Sequence, residues 1–106
     1  PSPIEVLPAI VDAVGDKMTV MFDSGIKHGT DIITAMAMGA KFCFVGRWTL
    51  YGVTAGGEAG GDHAIQMIGN QLTSVMRQLG TTRTSEFTSD LLMWNDSDDL
   101  RRNRRP

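Results

Sequence analysis

The residues of this 106-residue chain best suited to chemistry are the run Asp23-Ser24-Gly25-Ile26-Lys27-His28-Gly29-Thr30-Asp31 and, further on, the pair Gly46-Arg47. The chemistry they suit is anion binding. Glycine lets backbone N–H groups come close to an oxyanion, Lys27 adds an ammonium, and Arg47 can grip two phosphate oxygens at once. A short apolar run precedes each piece, and a helical pattern follows the first. Two consecutive strand-end loops rich in N–H groups and positive charge are how a barrel of alternating strands and helices holds a phosphate. The pattern points to a phosphate-bearing cofactor, and to a chain that is one part of the machine that uses it.

Other chemistry finds little support. His28 and His63 are the only histidines; one sits in the anion loop and the other at a helix start, so both read as structural or surface groups. No His, Cys or carboxylate cluster has metal-ligand spacing. Cys43 is the single cysteine and lies in an apolar strand-like run, so no internal disulfide forms, in keeping with a reducing, cytoplasmic setting. A net charge of −2 gives no field that would recruit nucleic acid. No apolar run is long enough to span a membrane.

The elements that must position the loops follow from pattern. Ser2 as N-cap, Pro3 at the first position and Glu5 three residues on form a capping box. Behind it Ile4, Leu7, Ile10, Val11 and Val14 make one helical stripe that ends at Gly15, with Pro8 inside it implying an irregular first turn or a later start. Residues 18–22 and 41–45 read as strands buried on both faces, as in a parallel sheet. Residues 31–38 read as a helix stopped by Gly39. A single helical turn is expected at 48–51, then a glycine-rich stretch at 56–61 that is flexible unless packed. A long amphipathic helix follows over 62–79, with the stripe Ile65, Ile68, Leu72, Val75, Met76 and Leu79. A short helix is expected at 86–93, and the polar tail 95–106 is expected to be ordered only against a partner. Two parallel strands cannot bury both faces with so few helices. A piece of a larger α/β barrel therefore fits better than a self-standing small α/β domain.

At these residues the chain resembles the C-terminal part of the FMN-dependent 2-hydroxy acid oxidases and dehydrogenases, over about residues 8–92. The segments Asp23 to Asp31 and Ala37-Met38-Gly39-Ala40 match. So do Gly46-Arg47, Leu50-Tyr51-Gly52 and Ala55-Gly56-Gly57-Glu58-Ala59-Gly60. The first segment is shared with other phosphate-binding barrels, such as inosine monophosphate dehydrogenase. The Gly-Arg pair with the Gly-Gly-Glu-Ala-Gly run is much more restrictive.

The resemblance implies that residues 1–94 supply strands seven and eight, with flanking helices, of a TIM barrel. It assigns Asp23 to a ribityl hydroxyl of FMN. Ser24, Gly25, Ile26, Lys27, Gly46 and Arg47 are assigned to the phosphate side, with the N–H groups of Gly25, Ile26 and Lys27 among the donors. The bland alternatives are a loop-closing aspartate at Asp23, a solvated lysine at Lys27 and a structural ion pair at Arg47. Asp31 and Glu58 suit helix starts, and Trp48, Tyr51 and Trp94 suit packing or subunit contacts. The family usually has glycine where Ser24 stands and two arginines where Lys27 and His28 stand. The loop should therefore differ slightly, with Arg47 carrying more of the phosphate.

In the complete enzyme, the resemblance implies that a histidine base takes the hydroxyl proton of a 2-hydroxy acid while its C2 hydrogen passes to the flavin, leaving a 2-keto acid. That histidine and a substrate-binding arginine belong to a segment upstream of Pro1. The chain is thus expected to be processed or a fragment, inactive alone and completed by an N-terminal barrel polypeptide. Completed barrels are expected to form a homo-oligomer of four or more copies. A different FMN barrel and a non-catalytic flavin-binding module remain the alternatives.

Overall fold

The computed structural model describes residues 2–93; Trp94 and the tail 95–106 lie outside the described residues. Helix α1 (Pro3–Val14) begins as its capping residues dictate, with the Ser2 N–H donating to a Glu5 carboxylate oxygen at 2.8 Å. Pro8 does not delay it: the helix runs through, and the ring only removes the N–H that would meet the Ile4 carbonyl. Gly15 caps the helix in a right-handed conformation, its N–H on the Val11 carbonyl at 2.7 Å.

Strands β1 (Met21–Asp23) and β2 (Phe42–Phe44) pair in parallel, with Met21 opposite Phe42, Phe22 opposite Cys43 and Asp23 opposite Phe44. Helix α2 (Gly29–Ala37) makes the crossover between them. Phe22 is buried against Leu7, Ile26, Ala35 and Ala40, with Cys43 and Val45 packed alongside. Burying such a ring is worth about 2 kcal/mol or more. The expectation of strands buried on both faces is corrected: only the helix-facing side is covered. Met21 and Phe42 are each 55% exposed and Phe44 is 45% exposed, because their pleat directs them to the opposite face, which no described residue covers. The strands are also shorter than expected, since ladder pairing needs a partner and each has only one neighbour among the described residues.

The largest departure lies after Gly46. Helix α3 (Arg47–Leu79) takes in both the expected single turn and the glycine run; only Gly56 and Gly57 leave helical geometry. Gly57 has φ +64° and ψ −147°, a conformation that glycine alone adopts readily, so the helix breaks there and doubles back. The two arms then cross at Gly52 and Gly60. A Cβ on Gly52 would lie 2.5 Å from the Gly60 carbonyl oxygen, and one on Gly60 would strike the Gly52 carbonyl oxygen. The glycine run, read as flexible unless packed, is packed: it forms a close helix–helix crossing.

The second arm packs through Leu72, Val75 and Met76 onto Ile33, Ala37 and Phe87. Ile65 (60% exposed) and Leu79 (40% exposed) lie off that stripe. The expected helix at 86–93 is replaced by two short 3₁₀ turns, Thr84–Glu86 and Ser89–Leu91, between which Phe87 is buried. Among the described residues, no helix is long and apolar enough to cross a membrane.

Candidate phosphate site at the strand ends

Both loops leave the same end of the parallel pair, so the fold brings the two pieces of the sequence motif together. Asp23, Ser24, Gly25, Ile26, Lys27, Gly46 and Arg47 all line one open cleft of about 320 Å³, joined by Phe44 and Trp48. Ile26 is the anchor of the first loop. Its side chain is 5% exposed and belongs to the core, which ties the intervening backbone to the cleft wall.

The loop is braced by Asp31. One carboxylate oxygen accepts the Lys27 N–H at 2.9 Å and the His28 N–H at 3.0 Å. Asp31 is the third residue of α2, where a carboxylate also suits the helix dipole. Asp31 thus braces this loop from inside the following helix. Among the described residues, no hydrogen bond to the Asp23 carboxylate is found. The Lys27 N–H is already engaged, so what Lys27 has to offer an anion is its ammonium. The N–H groups of Gly25, Ile26, Gly46 and Arg47 enter no hydrogen bond among the described residues. Neither Lys27 nor Arg47 is in an ion pair among the described residues.

Ser24 stands at φ +141°, the one non-glycine residue with positive φ among those described. Such a conformation costs a residue with a Cβ about 1–3 kcal/mol. Ser24→Gly removes that strain but loosens the unfolded chain by about 0.5–1 kcal/mol. The variant is expected to be about 1 kcal/mol more stable. Urea denaturation reads this as a higher midpoint at unchanged slope.

The remaining candidates are not gathered into a reactive cluster. His28 is the N-cap of α2, its ring centroid 6.4 Å from that of Trp48. His63 lies along a separate groove between the two arms of α3. Trp48 donates its indole N–H to the Ala64 carbonyl at 3.1 Å and so pins the arms together. Burial pushes the Cys43 thiol above its ordinary value, which disfavours a reactive thiolate. No metal-holding group of carboxylates, histidines and cysteine occurs among the described residues.

Sequence reasoning missed Phe44 and Trp48 as cleft walls, and Gln71, whose side-chain Oε1 accepts the Gly29 N–H at 2.8 Å. Only the Asp31 brace had a local signal, its place at the third position of the helix. The donor set, two unpaired cations with unpartnered backbone N–H groups on glycine loops, fits a phosphate monoester dianion.

The model of the FMN-dependent dehydrogenase family matches residues 1–94. An FMN-dependent alpha-hydroxy acid dehydrogenase of Penicillium citrinum is 43% identical over 89 residues, 84% of this chain and 22% of that protein. An L-lactate oxidase of a Nostoc species is 38% identical over 89 residues, 84% of this chain and 24% of the relative. A solved structure of (S)-mandelate dehydrogenase from Pseudomonas putida superposes with a TM-score of 0.80 at 36% identity, covering 87% of this chain and 26% of that one. The chain therefore spans about a quarter of the length of these relatives. The structural neighbours are TIM-barrel flavoenzymes, and the helices and two parallel strands seen here are consistent with a partial barrel. On these matches the chain belongs to the FMN-dependent hydroxy acid oxidoreductase family, whose cofactor is FMN.

Proposed function

We propose that this chain is the FMN-phosphate-binding segment of a flavin-dependent 2-hydroxy acid oxidoreductase, supplying strands seven and eight of its barrel. The observation that carries the reading is the convergence of all seven candidate residues on one cleft at the strand ends, with both cations unpaired among the described residues. Arg47 grips the phosphate with its fork, Lys27 adds charge, and the free N–H groups of Gly25, Ile26 and Gly46 complete the cradle. Asp23, ending β1 beside them, accepts from a ribityl hydroxyl. When bound, FMN supplies a two-electron sink for converting a 2-hydroxy acid into a 2-keto acid. The residues described here orient it and take no proton from the substrate.

The bare face carrying Met21, Phe42 and Phe44, with two open strand edges, is where the rest of the barrel belongs. A polypeptide carrying the catalytic histidine and arginine completes it, and completed barrels assemble into a homo-oligomer. The 106-residue chain alone is expected to turn over no 2-hydroxy acid; measurable 2-keto acid from the purified chain contradicts this. The test of the reading itself is anaerobic addition of L-lactate or glycolate to the complete, FMN-loaded protein. Bleaching of the flavin's visible absorbance with matching 2-keto acid is expected. Unchanged absorbance across a panel of 2-hydroxy acids, with FMN retained, would leave a non-catalytic flavin-binding module instead.

A further inference from the structure

The two loops of the cleft are 20 or so residues apart in sequence, and a phosphate gripped from both sides needs them at a fixed separation. One helix meets both. The first arm of α3 starts with Gly46 as N-cap and Arg47 as first residue, while its second arm returns to the base of the other loop. There the Gln71 side-chain oxygen accepts the Gly29 N–H at 2.8 Å, across 42 residues and in a part-buried setting. Gly29 opens α2 immediately after the loop residues Lys27 and His28.

The approach at this point leaves no space. A Cβ on Gly29 would strike the Leu72 backbone nitrogen and come within 2.9 Å of the Gln71 Cβ. The loop therefore has a brace of its own, Asp31, and an external one, Gln71. The external one matters more for geometry, because it refers the Lys27 loop to the same helix that carries Arg47. The turn at Gly56 and Gly57, and the indole of Trp48 on the Ala64 carbonyl, fix the two arms relative to each other.

We infer that Gln71 is a positioning residue for the cofactor phosphate: through the Gly29 N–H it holds the Lys27 loop in register with Arg47. The inference rests on the phosphate reading above. Removing the acceptor leaves a buried N–H unsatisfied and frees the loop to shift. The brace acts on the loop assigned to the phosphate, so its effect should fall on ligands that carry a phosphate.

The test uses apoprotein of the complete enzyme, titrated with FMN and with riboflavin, which lacks the phosphate. Gln71→Ala and Gln71→Met, the latter of similar length without an acceptor, are expected to weaken FMN binding about tenfold. Riboflavin affinity stays within about twofold. Gln71→Glu, which keeps an acceptor oxygen next to a helix N-terminus, is expected to restore most of the FMN affinity. Unchanged FMN affinity in the Ala and Met variants overturns the inference. So does an equal loss for both ligands, or loss of all flavin binding, since either marks a general structural role. Lys27→Ala/Arg47→Ala serves as the reference. If it fails to separate FMN from riboflavin, the phosphate reading falls and takes this inference with it. If it separates them while the Gln71 variants do not, only the Gln71 role falls.

Discussion

Lys27→Ala/Arg47→Ala is expected to raise the FMN dissociation constant of the complete protein roughly a thousandfold, with riboflavin binding almost untouched. Hydrogen bonds between a charged donor and a phosphate contribute about 1.5–3 kcal/mol each. Losing an ammonium and a two-pronged guanidinium therefore removes about 4 kcal/mol, or three powers of ten. Arg47→Ala alone should account for the larger share, because the Lys27 ammonium lacks the two-pronged fork of a guanidinium. Arg47→Lys should recover only part of the loss, since an ammonium cannot grip two oxygens in one plane. Fluorescence quenching of free flavin on titration with apoprotein measures all of these. A double variant that keeps its FMN affinity would remove the phosphate cradle from the account.

The second large effect is on stability, and its sign makes it diagnostic. Glycine to alanine inside a helix ordinarily stabilises by about 1 kcal/mol. Gly69→Ala should behave that way, because a Cβ there meets nothing within 4 Å. Gly52→Ala in the same helix should instead destabilise by about 3 kcal/mol. Its Cβ would sit 2.5 Å from the Gly60 carbonyl oxygen and 2.9 Å from the Ala64 Cβ. Backbone cannot swing aside as a side chain does, so the two arms must separate. That separation carries the Arg47 arm away from the arm bearing Gln71, and FMN affinity should fall along with stability. Urea denaturation of the two variants side by side checks the sign, and equal effects would contradict the crossing.

Much of this was legible in the residues. The capping box of α1 and the helix after the first loop depend on contacts within a few positions, which spacing reveals. The meeting of the two loops at one cleft follows from their place after consecutive strands. The resemblance supplied the identity of the cofactor. What could not be read depended on distant partners. The run at 56–61 has the composition of a loop, and only the crossing of Gly52 over Gly60 turns most of it into helix. Gln71 looks like any polar residue on a helix until Gly29 lies against it. The strands read as buried on both faces because Met21, Phe42 and Phe44 are apolar, but among the described residues nothing covers that face. Ser24 is the instructive middle case. Its departure from the usual glycine was visible, and the structure converts it into a residue held at φ +141°.

The central claim is that the cofactor phosphate sits between the loops of Lys27 and Arg47. A crystal structure of the complete protein loaded with FMN tests it most directly. The account predicts the phosphate within about 3 Å of the Arg47 guanidinium and of the Gly25 or Ile26 N–H. A bound FMN whose phosphate lies elsewhere, with these donors facing only solvent, would contradict it.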